Sequence, residues 1–327
     1  MQLKPGRTHS GRLYVTSHSL IEDAMCGVYI PNAVTPTSGY VFKSEASVFN
    51  RNVVGVFIKN FTPNTASYPF LVHNTVFTSR DLQTHNANFP KQWPPTLGTG
   101  GLKNYYATDT FSAPYNINSL YPGLWYAYTG VNCYGGILPT NGIRLDSVGT
   151  NTIDTSMHTW MPIPSNYAEI VIGDISVTDN NQNLNLFDNL RYGIYARNSN
   201  LTCVNNAFTN MFAIIPSYYS PTDIGGDGIY AAESDDIANE NRLRVYTPSG
   251  SGYQNKFYDF RYGVECSNYF QLIGQHTYMI NKNFGSATTP QAGVGGYYIK
   301  TAKYDTIDIT NDTITNVSTG AAVWWWR

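Results

Sequence analysis

Charged side chains are scarce in this sequence. Asp, Glu, Lys and Arg make up 13% of 327 residues and leave a net charge of −2, against a usual share of about a quarter. So little charge of either sign gives the chain no electrostatic reach for nucleic acid or an anionic membrane surface. No apolar run approaches the ~20 residues of a membrane span, and the opening MQLKPGRTHSGRL lacks the apolar stretch of a secretory signal. Cys26, Cys133, Cys203 and Cys266 lie far apart with no C-x-x-C pair, which excludes the common zinc and redox spacings. The six His form no ligand pair such as H-E-x-x-H. GTGGLK at 98–103 lacks the Walker spacing and reads as a turn.

What the sequence has instead is Asn, Thr, Ser and aromatic residues, with 26 Tyr and 15 Phe, and a composition that favours strands. It also repeats itself. NLRYGIYARN at 189–198 returns as DFRYGVECSN at 259–268. Anchored on the glycine, five copies align at Gly27, Gly55, Gly193, Gly263 and Gly320. Six residues before it stand Ile21, Phe49, Phe187, Phe257 or Ile314, and four before it Asp23, Arg51, Asn189, Asp259 or Asn316. One and three after it the residues are apolar, from Val28 and Ile30 to Ala321 and Val323. Five after it the first four copies carry Asn32, Asn60, Asn198 and Asn268.

Apolar residues alternating by two mark strands. Glycine with flanking Asn or Asp marks tight turns, where positive φ must be cheap. A second strand shows between the phrases, in FLVHNTVF (70–77), LTCVNNAF (201–208) and IDITNDTI (307–314). In NAFTNMFAII (206–215), Ile214 takes the glycine's place. Short strands that recur with a period of about 21–24 residues describe stacked coils. Inward Val, Ile, Phe, Ala and Cys then form apolar stacks, Cys203 and Cys266 among them, and an Asn at one turn position can bond the Asn of the next coil in a ladder. A leucine-rich repeat fits less well, because Leu does not dominate the inward positions.

The phrase F-x-[ND]-x-x-x-G-[IV]-x-x-x-N, with IVIGDISVTDNNQNLNLFDNL at 170–190, resembles the right-handed parallel β-helix of the pectin-lyase-like superfamily. More narrowly, it is similar to the repeat segments of large secreted or surface bacterial proteins, many of them exported through a C-terminal sorting domain. The likeness is good over 13–80 and 170–285, patchy over 125–150 and 293–323, and absent over 85–120. It implies an all-β solenoid of about 9–11 coils, roughly 45–50 Å long at ~4.8 Å per coil, secreted or at the cell surface. The expected layout is a single domain over 1–327, with an aromatic, Pro-rich insertion at 81–130 and an acidic insertion or distorted coil at 216–256. Coils already running by 11–24 and still running at 314–323 suggest a piece of a longer chain.

Two candidate sites sit in those insertions, which in solenoids gather on the binding face. Trp93, Tyr105, Tyr106, Trp125, Tyr126 and Tyr128 offer aromatic faces to sugar rings, or pack their own loop onto the coil. Asp223, Asp227, Glu233, Asp235 and Asp236, with Glu240 nearby, form an acidic cluster. Polysaccharide-cleaving members of the superfamily hold Ca²⁺ with such carboxylates and use Arg or Lys as base, roles open here to Arg242, Arg244 or Lys256. The spacing matches no EF-hand, and the Gly-His-Gly and Arg-Ile-Lys steps of the polygalacturonase relatives are missing. The sequence therefore points first to a non-catalytic scaffold with polysaccharide as its partner, and second to a lyase or hydrolase of acidic polysaccharide. The match of Asn60, Asn200, Asn311 and Asn316 to the glycosylation acceptor pattern is what an Asn/Thr-rich chain produces freely.

Overall fold

The computed structural model describes residues 13–16, 19–22, 24–31, 41–61, 70–79, 124–125, 140–149, 170–173, 185–209, 211, 213–214, 225–233, 241–247, 254–258, 260–269, 271–280, 295–301, 306–315, 317 and 319–325. Among them there is no helix, hence none long and apolar enough to cross a membrane.

The chain winds through three faces in a fixed order. One coil runs Phe42–Glu45 on the first face, Val48–Asn50 on the second and Val54–Phe61 on the third. The next begins with Phe70–His73 and Val76–Thr78 and reaches the third face at Asn141–Val148. Each strand pairs in parallel with its equivalent one coil away, Phe42 with Phe70, Val48 with Val76, Val54 with Asn141. Eight strands stack in this way on the second face and eight on the third. The first face holds a three-stranded and a five-stranded sheet, bridged where Gly173 N donates to Val72 O at 3.0 Å. The protein is an all-β parallel β-helix.

Two files make this stacking specific. On the second face Phe49, Phe77, Phe187, Phe208 and Phe257 lie in register, their rings 4.7–5.0 Å apart and within 14° of parallel. Ile21 precedes this column, and Met279 and Ile314 continue it. The third face carries the glycines. Gly27, Gly55, Gly193, Gly263 and Gly320 do stand in one file, and Gly142, Gly228 and Gly296 complete it at one per coil. The two files touch: a methyl group on Gly55 would come 2.8 Å from the Phe77 ring and 2.5 Å from Gly142 O. The backbone therefore approaches the ring of the following coil more closely than any side chain permits, and the residue beside each ring is glycine.

The corners follow from left-handed residues. Asn60, Ser147, Asn198 and Asn268 (φ 48–59°) turn the chain off the third face, the role expected of the Asn five after glycine; Asn32 lies outside the described residues. Ala46, Asn74, Asn205, His276 and Asn311 (φ 48–56°) do the same between the first and second faces. The side-chain ladder sits at a different position from those turn residues. Asn185 Nδ2 donates to Asn206 Oδ1 at 3.0 Å, and Asn206 Nδ2 to Asn255 Oδ1 at 3.1 Å. The same amides donate to carbonyls of the first-face strand one coil back, at Val72, Ile172 and Cys203. Buried backbone oxygens at a corner need such donors.

One expected assignment is corrected. Ala213–Ile214 does not continue the third face but pairs antiparallel with Leu124–Trp125. Ile214 matches the apolar spacing, yet the chain enters the third face only at Asp227–Ala232, where Gly228 fills the file. In chain order, residues 80–139, 210–224 and 281–294 each fall between a second-face strand and the third-face strand that follows it. The first of them does not break the stack, since Phe77 and Phe187 are 4.9 Å apart and only 6° from parallel.

One core exchange lies outside this pattern. Tyr297 occupies the aliphatic file of Val28, Val56, Ile143, Ile194, Ile229 and Val264. Its ring reaches to Gly274 on the first face, and its hydroxyl donates to Asp312 Oδ2 at 2.6 Å. A large residue opposite a missing side chain keeps the cross-section constant.

The glycine file yields a direct comparison. Gly193→Ala, where the added carbon would lie 2.6 Å from Gly228 O and overlap Phe208, is expected to cost about 2–3 kcal/mol of unfolding free energy. Gly320→Ala, with nothing within 4 Å, should cost well under 1 kcal/mol on the same urea denaturation scale.

Candidate functional face

Outward residues of the third face alternate with its core residues, so the position two after each glycine points away from the core. Up the stack this file reads Tyr29, Phe57, Arg144, Tyr195, Tyr230, Glu265, Tyr298, Ala322. Tyr29 and Phe57 are 5.1 Å apart, and Tyr195 and Tyr230 stack at 4.9 Å and 17°. Arg144 lies between rings, its guanidinium carbon 4.9 Å from Phe57 and 5.4 Å from Tyr195, a cation–π sandwich. Tyr298 stacks on Tyr262 at 4.6 Å, with Lys300 Nζ 5.0 Å above its ring. Except for Glu265 and Ala322, each of these side chains is half-buried aromatic or cationic surface. Two positions further along the strands the file reads Pro31, Lys59, Asp146, Arg197, Ala232, Ser267, Lys300 and Trp324, so three cations and one carboxylate flank the rings.

Within this face lies a buried ionic cluster. Arg261 grips Asp227 with two hydrogen bonds, Nε to Oδ1 at 3.2 Å and Nη2 to Oδ2 at 3.1 Å. The same Nη2 donates to Glu265 Oε2 at 2.5 Å. Asp227 is fully buried, and Glu265 and Arg261 nearly so. Burial pushes the Asp227 carboxyl up, against the opposing pull of Arg261. Burial first, and the Asp227 charge second, push Glu265 up to about 8, with Arg261 and Lys300 opposing. Burial disfavours the Arg261 cation, but Asp227 and Glu265 outweigh it and hold the guanidinium firmly charged. Burial also raises the Tyr262 hydroxyl and the Cys266 thiol.

The sequence candidates distribute differently. Of the acidic group, Asp227 is the buried partner of Arg261, and Glu233 is a buried residue six positions on along the strand Asp227–Ala232 and its end. An extended chain puts them roughly 20 Å apart. Asp223, Asp235, Asp236 and Glu240 lie outside the described residues. Arg242 and Arg244 belong to the first face, in Arg242–Val245, with Arg244 over the Tyr246 ring at 4.9 Å, and Lys256 belongs to the second. The linear run 223–244 is thus divided between faces. Among the described residues no three His, Cys, Asp or Glu side chains group as a metal site. Trp93, Tyr105, Tyr106, Tyr126 and Tyr128 also fall outside the described residues, and Trp125 is described only through its strand with Leu124. Asn200 is no modification site: it is buried, and its side-chain oxygen accepts from Arg242 N at 2.8 Å.

The aromatic file escaped the sequence reading although it was legible there. Offsets one and three from the glycine carried the core; offset two carried this face. Asp227 and Arg261 could not be found by local spacing, because their separation of 34 residues is one coil with extended corners.

Removing the cation tests the cluster. Arg261→Ala leaves two buried carboxyl groups without their partner and should cost about 3–5 kcal/mol near neutral pH. The loss measured by denaturant titration should shrink toward pH 5, where protonated carboxyls need no counter-charge. Comparison of the chain with protein-family models, curated proteins and solved structures returns no match.

Proposed function

We propose that this chain is a rigid, non-catalytic scaffold of the pectin-lyase-like kind, working outside the cell or at its surface and binding an extended polysaccharide along the third face. The observation that carries this reading is the outward file from Tyr29 to Tyr298, which presents a ring or a cation on five successive coils, about 4.8 Å apart, and again at Tyr298 beyond Glu265. A periodic wall suits a periodic ligand. A sugar polymer laid along the axis meets equivalent groups at each step, with apolar ring edges for its carbon face and phenol hydroxyls and Arg144 for its oxygens. Lys59, Arg197 and Lys300 beside the file favour chains that carry carboxylate or sulfate groups.

The alternative, Ca²⁺-assisted cleavage of an acidic polysaccharide, finds less support. The carboxylates that converge on this face, Asp227 and Glu265, are closed around Arg261, and a cation would have to displace that guanidinium. Affinity electrophoresis against neutral and uronic-acid polysaccharides tests the binding reading. We expect retardation by at least one acidic polymer, weakened about tenfold by Tyr195→Ala or Tyr230→Ala, equivalent to about 1.4 kcal/mol. Incubation of the same polymers with protein and Ca²⁺ should give no rise in unsaturated-product absorbance. Migration unaffected by every polymer sinks the binding reading, and a rising trace replaces the scaffold with a lyase.

A further inference from the structure

The ionic cluster on the third face has one charge too many for its surroundings. One guanidinium nitrogen, Arg261 Nη2, lies 3.1 Å from Asp227 Oδ2 and 2.5 Å from Glu265 Oε2. Sharing that one nitrogen holds the two carboxyl groups side by side in the same buried site. Groups facing Glu265 come from three adjacent strands: Asp227 and Tyr230 from Asp227–Ala232, Arg261 and Tyr262 at the start of its own strand, and Tyr298 and Lys300 from Gly295–Thr301. Lys300 sits against the Tyr298 ring, so the buried centre itself holds two carboxyls and one cation. Two neighbouring carboxylates withdrawn from water cannot both ionise cheaply against a single guanidinium, and a proton on one relieves the pair.

We propose that Asp227 and Glu265 share a single proton across Arg261, and that its release is a pH switch that turns this part of the third face negative. With the proton in place the cluster is neutral, one carboxylate against one guanidinium. Without it the cluster carries a net negative charge. Glu265 stands in the outward file between Tyr230 and Tyr298, so the switch sits within the aromatic wall. An anionic ligand would be admitted there below the switch and repelled above it.

The direction of the linkage follows. The folded value for Glu265, about 8, lies above its ordinary 4.5, so folding takes up a proton between these limits. The stabilisation from that proton is complete below about pH 4.5 and is lost as pH rises through about 8. Neighbouring carboxyls with ordinary values do not titrate in the upper part of this window.

The test is a ¹³C NMR titration of the intact chain, following the Glu265 side-chain carboxyl, assigned through its backbone correlations, from about pH 4 to about 10. We expect a midpoint near 8, and a fall of at least about one unit in Asp227→Asn, where the competing charge is gone and Arg261 remains. A wild-type midpoint between about 4 and 5 overturns the proposal, as does a midpoint unmoved in the variant. If the variant does not fold, the wild-type midpoint decides alone. The measurement reads Glu265 directly, so it stands or fails separately from carbohydrate binding.

Discussion

Each coil of this protein must present the same cross-section as the coils above and below it, and the tightest point of that match is a backbone lying against a phenylalanine ring. Gly55 over Phe77, Gly142 over Phe187, Gly193 over Phe208 and Gly228 over Phe257 are the same contact made four times. Once the ring and the glycine are placed, the neighbouring Val and Ile positions fall inward and the outward file follows by alternation. A slip of one residue would put Tyr195 and Tyr230 in the core and Ile194 and Ile229 in water. Register is therefore specified by the packing, and the surface inherits its order from it.

The same constraint explains how a parallel solenoid accommodates long excursions. The chain leaves between Thr78 and Asn141 and returns with Phe187 still stacked on Phe77 and Asn185 Oδ1 accepting from Thr75 N at 3.1 Å. Loop closure costs grow only slowly with length, so a large insertion is tolerated wherever both ends reach their files.

The fold was legible because its rule is local: a ring, then six residues on a glycine, then alternating apolar residues. Where the rule was stretched, reading failed for a physical reason. Gly228 follows Phe208 by twenty residues because a corner was extended, so Ile214 took its place on pattern alone. Gly142 lacks a phenylalanine six before it, because the insertion intervenes. Tyr297 and Gly274 exchange volume across the core, which no single strand records. The charged site was hidden more deeply. Asp227 lies one coil away from Arg261 and Glu265, and of the acidic run that drew attention by its density only Asp227 joins them. Density along a chain is a poor guide in a solenoid, where the neighbours that matter are one coil away.

The most direct measurement is a double-mutant cycle on Gly228→Ala and Phe257→Leu, read by equilibrium denaturation. A methyl group at 228 would lie 2.5 Å from the Phe257 ring and 2.9 Å from Gly263 O, so a smaller side chain at 257 should make room for it. Gly228→Ala is expected to cost at least about 1 kcal/mol less in the leucine background than in the wild type. Additive losses would mean that ring and glycine do not constrain one another, and the packing rule on which the register and the outward face rest would be wrong.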